Sequence, residues 1–156
     1  MAELFISIYA STFQPNAPVG FSPKINGKSP IATGVSAMGI LGILNPANIP
    51  GQFSFAIIVG VRGVDSREPH RVQVQFLDPD GSAVLDTGTT PFLASDAPAR
   101  LPHEYAHVIL GLQAMNVMLS REGLYRTRVI WDDELLEGNV IPVIKASEGI
   151  IEAEAE

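Results

Sequence analysis

Apolar and polar residues alternate with a period of two along much of this chain. The clearest run is HRVQVQFLD, residues 70–78, where Val72, Val74 and Phe76 interleave with Arg71, Gln73, Gln75 and Leu77. A strand sends successive side chains to opposite faces, so this spacing predicts one buried and one mostly wet face. LYRTRVIW (124–131) repeats the pattern, with Tyr125, Thr127, Val129 and Trp131 against Leu124, Arg126, Arg128 and Ile130. LFISIYAST (4–12) is aromatic and β-branched and reads as a first strand. The apolar runs VSAMGILGIL (35–44) and FSFAIIVGV (53–61) carry Gly39, Gly42 and Gly60 and flank the connector NPANIPGQ, which favours strands over helices. SAVLDT and VIPVIKA complete the set, and Pro142 suits an edge.

The segments between these runs are turns and loops. In DPDG (78–81) proline presets the second turn position and Asp80-Gly81 accepts the remaining geometry. Asp132-Asp133-Glu134 is a second turn. From Gln14 to Ala32 the prolines 15, 18, 23 and 30 deny the amides that a helix or central strand needs, so this is a long loop. TGTTPFLASDAPARLP is another, and SEGIIEAEAE is an acidic tail. The pattern predicts an all-β protein, an antiparallel immunoglobulin-like β-sandwich of about seven to eight strands. One domain would span residues 1–146, with the Pro-rich loop at 14–32, followed by a tail at 147–156.

Composition narrows the function classes. The chain has 156 residues, enough for one core, and no cysteine, which removes disulfides, thiolate metal sites and cysteine nucleophiles. Its net charge is -7, and its ten Lys and Arg residues are scattered, which opposes a phosphate-neutralising groove or an anionic membrane surface. Neither nucleic acid nor membrane is expected as a partner. MAELFISIYA has an acid at Glu3 and no basic region, so a cytoplasmic protein is expected rather than a secreted one. Only 17% of residues are charged, and no charge occurs from Ser29 to Val61. Two readings account for that stretch. Its strands are buried in the sandwich, or part of its surface is covered by another subunit or a protein partner.

HEYAH, residues 103–107, matches the zinc-peptidase pattern H-E-x-x-H. On a helix, His103 and His107 would hold one zinc ion, Glu104 would act as general base on bound water, and Glu122 or Glu134 could supply a third ligand. Tyr105, Val108, Ile109, Leu112, Met115 and Leu119 have helical spacing. A strand fits equally by period, with Ala106, Val108, Leu110, Leu112 and Ala114 inward and Tyr105, His107, Ile109, Gly111 and Gln113 outward. Gly111, the β-branched Val108 and Ile109, and Pro102 beside the motif weigh against the helix. On a strand the two histidines stand ~13 Å apart, too far for one ion. The expectation is therefore a strand, with no catalytic residue, no bound cofactor and no metal; zinc is the alternative. A calcium reading of Asp78, Asp80 and Asp86 lacks the glycine and glutamate spacing of an EF-hand loop. His70, at a strand entrance with no nearby nucleophile, is expected as a surface or capping histidine rather than a base, and Trp131 in the core or at its rim.

The order GVSAMGILGIL, IPGQFSFAIIVGV, HRVQVQFLDPDG, GLYRTRVIWDDELL and IPVI resembles a bacterial and phage-associated family of small β-sandwich proteins catalogued only as a domain of unknown function. The resemblance covers roughly residues 35–145 and rests on the DPDG hairpin and on Gly123 to Tyr125 leading into an acidic turn. It implies a fold, with a strand over Ala106 to Val117, and brings no catalytic residues. The functional expectation is a non-enzymatic protein of binding or assembly, self-associating or holding a protein partner through the uncharged 29–61 region. The alternatives are the zinc hydrolase above and a phage-encoded binder of a host protein or small signalling molecule.

Overall fold

A computed structural model describes residues 2–15, 35–63, 69–93 and 107–146. The periodic runs become nine strands: β1 (Glu3–Pro15), β2 (Val35–Leu41), β3 (Gly51–Arg62), β4 (Pro69–Leu77), β5 (Ala83–Asp86), β6 (Thr90–Leu93), β7 (His107–Leu119), β8 (Gly123–Trp131) and β9 (Glu134–Val143). All pair antiparallel, in sheets ordered β2-β1-β3-β7 and β5-β4-β8-β9, with β6 also on β4. The protein is an antiparallel β-sandwich. Among the described residues its strands number nine rather than about seven to eight, the addition being β6, four residues inside a segment that reads as loop. TPFL is too short to show a period, and its strand character comes from pairing with Pro69–Val72. β1 also extends through Gln14 and Pro15, where the sequence suggests loop, and β9 begins at Glu134, well before VIPVIKA. The remainder of the 14–32 loop and the 147–156 tail lie outside the described residues.

The main core lies between the sheets. Phe55, Ile57, Val59 and Val61 of β3 face Val72, Val74 and Phe76 of β4 and Tyr125, Val129 and Trp131 of β8. These are the positions that the two-residue period selects. At the centre, Phe76 lies 5.1 Å from Phe55, 5.9 Å from Tyr9 and 5.5 Å from Tyr125, measured between ring centroids. Tyr125 places its hydroxyl on the backbone carbonyl of Arg121 at 2.8 Å, so a ring in the core also pins the β7–β8 corner.

A second cluster explains the absence of charge from Phe55 to Val61 in β3. Ala10, Ala56 and Ile58 are buried on the outer side of the first sheet, beneath Phe13, Val35 and Ala37. β1 pairs with β3 only as far as Ala10; beyond that it pairs with β2 alone. The resulting hairpin arm turns back across its own sheet. Thr12 reaches Gln113 of β7, and the Phe13 ring lies over Gly111. A Cβ at Gly111 would fall 2.3 Å from Phe13, so the arm can seat only on glycine. From Phe55 to Val61 β3 is thus enclosed on both faces, and a charge at either would be stranded without water. Burial within the chain accounts for this part of the uncharged run, whereas Ser36, Met38, Ile40 and most of the connector to β3 remain exposed.

The sheets are also tied by polar contacts. Tyr9 donates to the carbonyl of Asn139, and its oxygen lies 2.7 Å from the hydroxyl of buried Thr127. Ser7 accepts the Asn139 amide at 2.8 Å, an approach allowed because a Cβ on neighbouring Gly138 would meet Ser7 Oγ at 2.7 Å. Burial pushes the Tyr9 phenol up to about 12, with the Thr127 bonds acting in the opposite direction. A raised folded value means that the phenol's contribution is complete below its unfolded value of 10 and is lost as pH rises through about 12. Urea unfolding across that window should show a decline that is shallower in Tyr9→Phe, although the variant is less stable at neutral pH.

Candidate functional site

Three places in the fold bear on function: the end of β7 that carries the H-E-x-x-H match, the polar cluster at the β8–β9 turn, and the exposed apolar residues of the first sheet.

His107 is the first residue of β7 and pairs with Arg62 of β3. His103 and Glu104 lie outside the described residues. From His107 to Leu119 the backbone is extended. Val108, Leu110, Leu112 and Ala114 pack on the main core while Ile109 joins the outer cluster, the alternation expected of a strand. His107 itself is exposed and meets the Phe5 ring edge-on at 5.7 Å, while the Arg62 guanidinium sits over the same ring. The helical i, i+4 presentation of two imidazoles therefore does not extend to His107. Of the other proposed zinc ligands, Glu122 accepts the Lys145 amide at 2.9 Å and Glu134 opens β9. Among the described residues no group of three or more His, Asp or Glu side chains is placed to hold a metal ion. The acids of the calcium reading are engaged separately. Asp78 caps its own turn through the amides of Asp80 and Ser82, Asp80 pairs with Arg121 at 2.8 Å, and Asp86 accepts from Gln73 and Gln75.

His70 is not at the surface. It is buried at the start of β4, with Nδ1 2.6 Å from Asp132 Oδ2 and its ring 4.9 Å from Trp131, which is itself in the core. Asp132 and Asp133 both have positive φ, at 48° and 69°, giving the two-residue type I′ hairpin that suits twisted strands. Asp132 accepts the Arg71 amide as well, and Asp133 pairs with the Arg71 guanidinium at 2.7 Å. The cluster fastens the β8–β9 turn to β4. The sequence could have pointed to it only through the acid pair after Trp131, since the partner at residue 70 is remote in the chain.

Partial burial pushes the Asp132 carboxyl up, but the His70 and Arg71 bonds and charges outweigh it and the net direction is down. Stability from a lowered carboxylate is present above its unfolded value and is lost as pH falls through the folded one. Asp132→Asn retains a residue that tolerates positive φ while removing the charge. It should cost about 1 kcal/mol at neutral pH, solvent screening included, and flatten the decline below about pH 4 in urea titrations.

The outer faces of both sheets mix polar and apolar side chains. On the second sheet Arg126 and Arg128 flank Glu137, Gln73 and Gln75 hold Asp86, and Leu124, Leu135 and Val140 are exposed. On the first sheet, among exposed polar residues such as Thr12, Ser36 and Asn116, four apolar side chains stand open: Met38 at 58% exposure, Ile40 at 62%, Met115 at 62% and Met118 at 49%. The folded-back arm brings β2 near β7, so these residues lie on neighbouring strands although the ladder separates them by two. No helix among the described residues is long and apolar enough to cross a membrane.

No curated protein matches the chain. A family model does match, over residues 33–144, from the residues before β2 to the end of β9, and so takes in every strand but the first. By that match the chain belongs to the family of unknown function DUF6941.

Proposed function

We propose that this protein acts without catalysis, through protein–protein contacts made by its first sheet. The observation that carries this reading is the exposed apolar group Met38, Ile40, Met115 and Met118 on strands that bear no charge between Val35 and Leu41 or between Val108 and Leu119. A group of exposed apolar side chains is a common mark of an interaction site. Unbranched methionine adapts its shape to a partner at small cost. The order β1-β3-β7 over β5-β4-β8-β9, with the corner hydroxyl of Tyr125, supports an immunoglobulin-like arrangement, a scaffold often used for recognition. The test pairs sedimentation with affinity capture for the full chain and for Met38→Lys/Met118→Lys. Self-association or capture that falls at least tenfold in the variant is expected. A chain that remains monomeric at high concentration and retains no protein would end this reading.

A second reading rests on the H-E-x-x-H match alone: a zinc hydrolase with His103 and His107 as ligands and Glu104 as base. Metal analysis of protein purified without chelator tests it. Stoichiometric zinc that disappears in His107→Ala would support it, and substoichiometric zinc unchanged by that substitution would remove it.

A further inference from the structure

We infer that the free edge of β7 is a strand-addition site, and that its occupant is β7 of a second copy of this chain, paired antiparallel about a twofold axis. This narrows the contact reading above and rests on it. Among the described residues four edges bound the two sheets, and three of them carry features that discourage pairing. β9 bears Glu134 and Glu137, has Pro142 next to its last residue, and is bridged at that end by Leu44, whose amide bonds the Pro142 carbonyl. β5 and β6 are four residues each, and β5 ends in Asp86. β2 is seven residues long and is broken by Gly39 at a φ of 70°. β7 has thirteen residues, no proline and no acid or base after His107. Its one irregularity, a register shift at Met115 and Asn116, the latter at a φ of 53°, leaves Val108 to Ala114 regular.

Two observations select a second copy as the occupant. The first is charge. The chain carries -7, so two copies repel in general. A long, regular, uncharged strand is where they can meet without setting acid against acid, and antiparallel pairing of one strand with itself is self-complementary under a twofold. The second is incomplete burial. Ile57, Val59 and Val61 of β3 are almost fully enclosed, whereas their partners Leu112, Leu110 and Val108 on β7, facing the same core, are only half-buried. Among the described residues the core is less enclosed along this side. A second β7 would extend the sheet and continue the apolar layer past that edge, with Met115 and Met118 beside the junction.

Hydrogen exchange on the full chain, followed over a concentration series alongside sedimentation velocity, tests the inference. A reversible dimer is expected, with amides of residues 108–114 exchanging at least tenfold more slowly in it while those of β2 and β9 remain unchanged. Met115→Lys, at an exposed position, should shift the dimer to monomer without altering the circular dichroism spectrum. Because the chain has no cysteine, single cysteines can be compared under mild oxidation. Gln113→Cys and Met115→Cys should form covalent dimers faster than Ile40→Cys or Val140→Cys. A monomer at every concentration, or a dimer whose protected amides lie on β2 or β9, overturns the β7 pairing. In either case the broader contact reading is judged separately, by whether Met38→Lys/Met118→Lys abolishes capture of a different protein.

Discussion

Phe76→Ala lowers the free energy of unfolding by about 3–5 kcal/mol, the range for deleting a fully enclosed aromatic ring. Phe76 has no solvent exposure and sits where rings from β1, β3 and β8 converge on β4. Neighbours of this size cannot relax into the space, since Tyr9 is held by its bonds to Asn139 and Thr127 and Tyr125 by its bond to Arg121. The loss should therefore lie toward the upper end of that range. A domain of this size has about 5–15 kcal/mol of total stability, so the variant would be marginal at 25 °C. Urea titration measures it, and a loss under about 1 kcal/mol would mean that the aromatic cluster is not the centre of the core.

Gly111→Ala tests the folded-back arm. The added methyl would overlap the Phe13 ring, so either the ring or the whole arm must move. The expected cost is about 1–3 kcal/mol, typical of overpacking. Combining it with Phe13→Ala should recover part of that cost, because the collision disappears; a double-mutant cycle reads the coupling directly. If Gly111→Ala is neutral, or the two changes are additive, the arm does not rest on β7. Exchange of amides in β2 would rise in Gly111→Ala for the same reason, as its pairing partner in β1 lifts from the sheet.

The strand positions were legible where a buried face alternates with a wet one. β4 and β8 follow their sequence periods, and the strand rather than helix over Val108 to Ala114 follows from Gly111 and the β-branched pair beside it. Gly111 disfavours a helix for reasons of backbone entropy, yet its role in the fold is to admit the ring of Phe13, almost a hundred residues away in sequence. Leu77 shows the limit of period counting. It falls on the outward side of the alternation and is nevertheless buried, because the register shifts between Phe76 and Leu77. His70 shows another. A histidine among polar neighbours reads as exposed until Asp132 and Trp131 are brought to it.

The chain by itself determined the class of fold, most strand positions and the exclusion of thiol chemistry, because period and composition are local properties. Tertiary structure decided how those strands pair, which is set by contacts between residues far apart in the chain. It enclosed Phe55 to Val61 of β3 on both sides, and so turned that part of an uncharged stretch from a candidate surface into core. It also placed the exposed methionines of β2 and β7 on neighbouring strands and left β7 as the long uncharged edge. Edge and centre differ only in what lies beside a strand, and neither Val-Ile-Leu-Gly-Leu nor Phe-Ala-Ile-Ile-Val carries that information within itself.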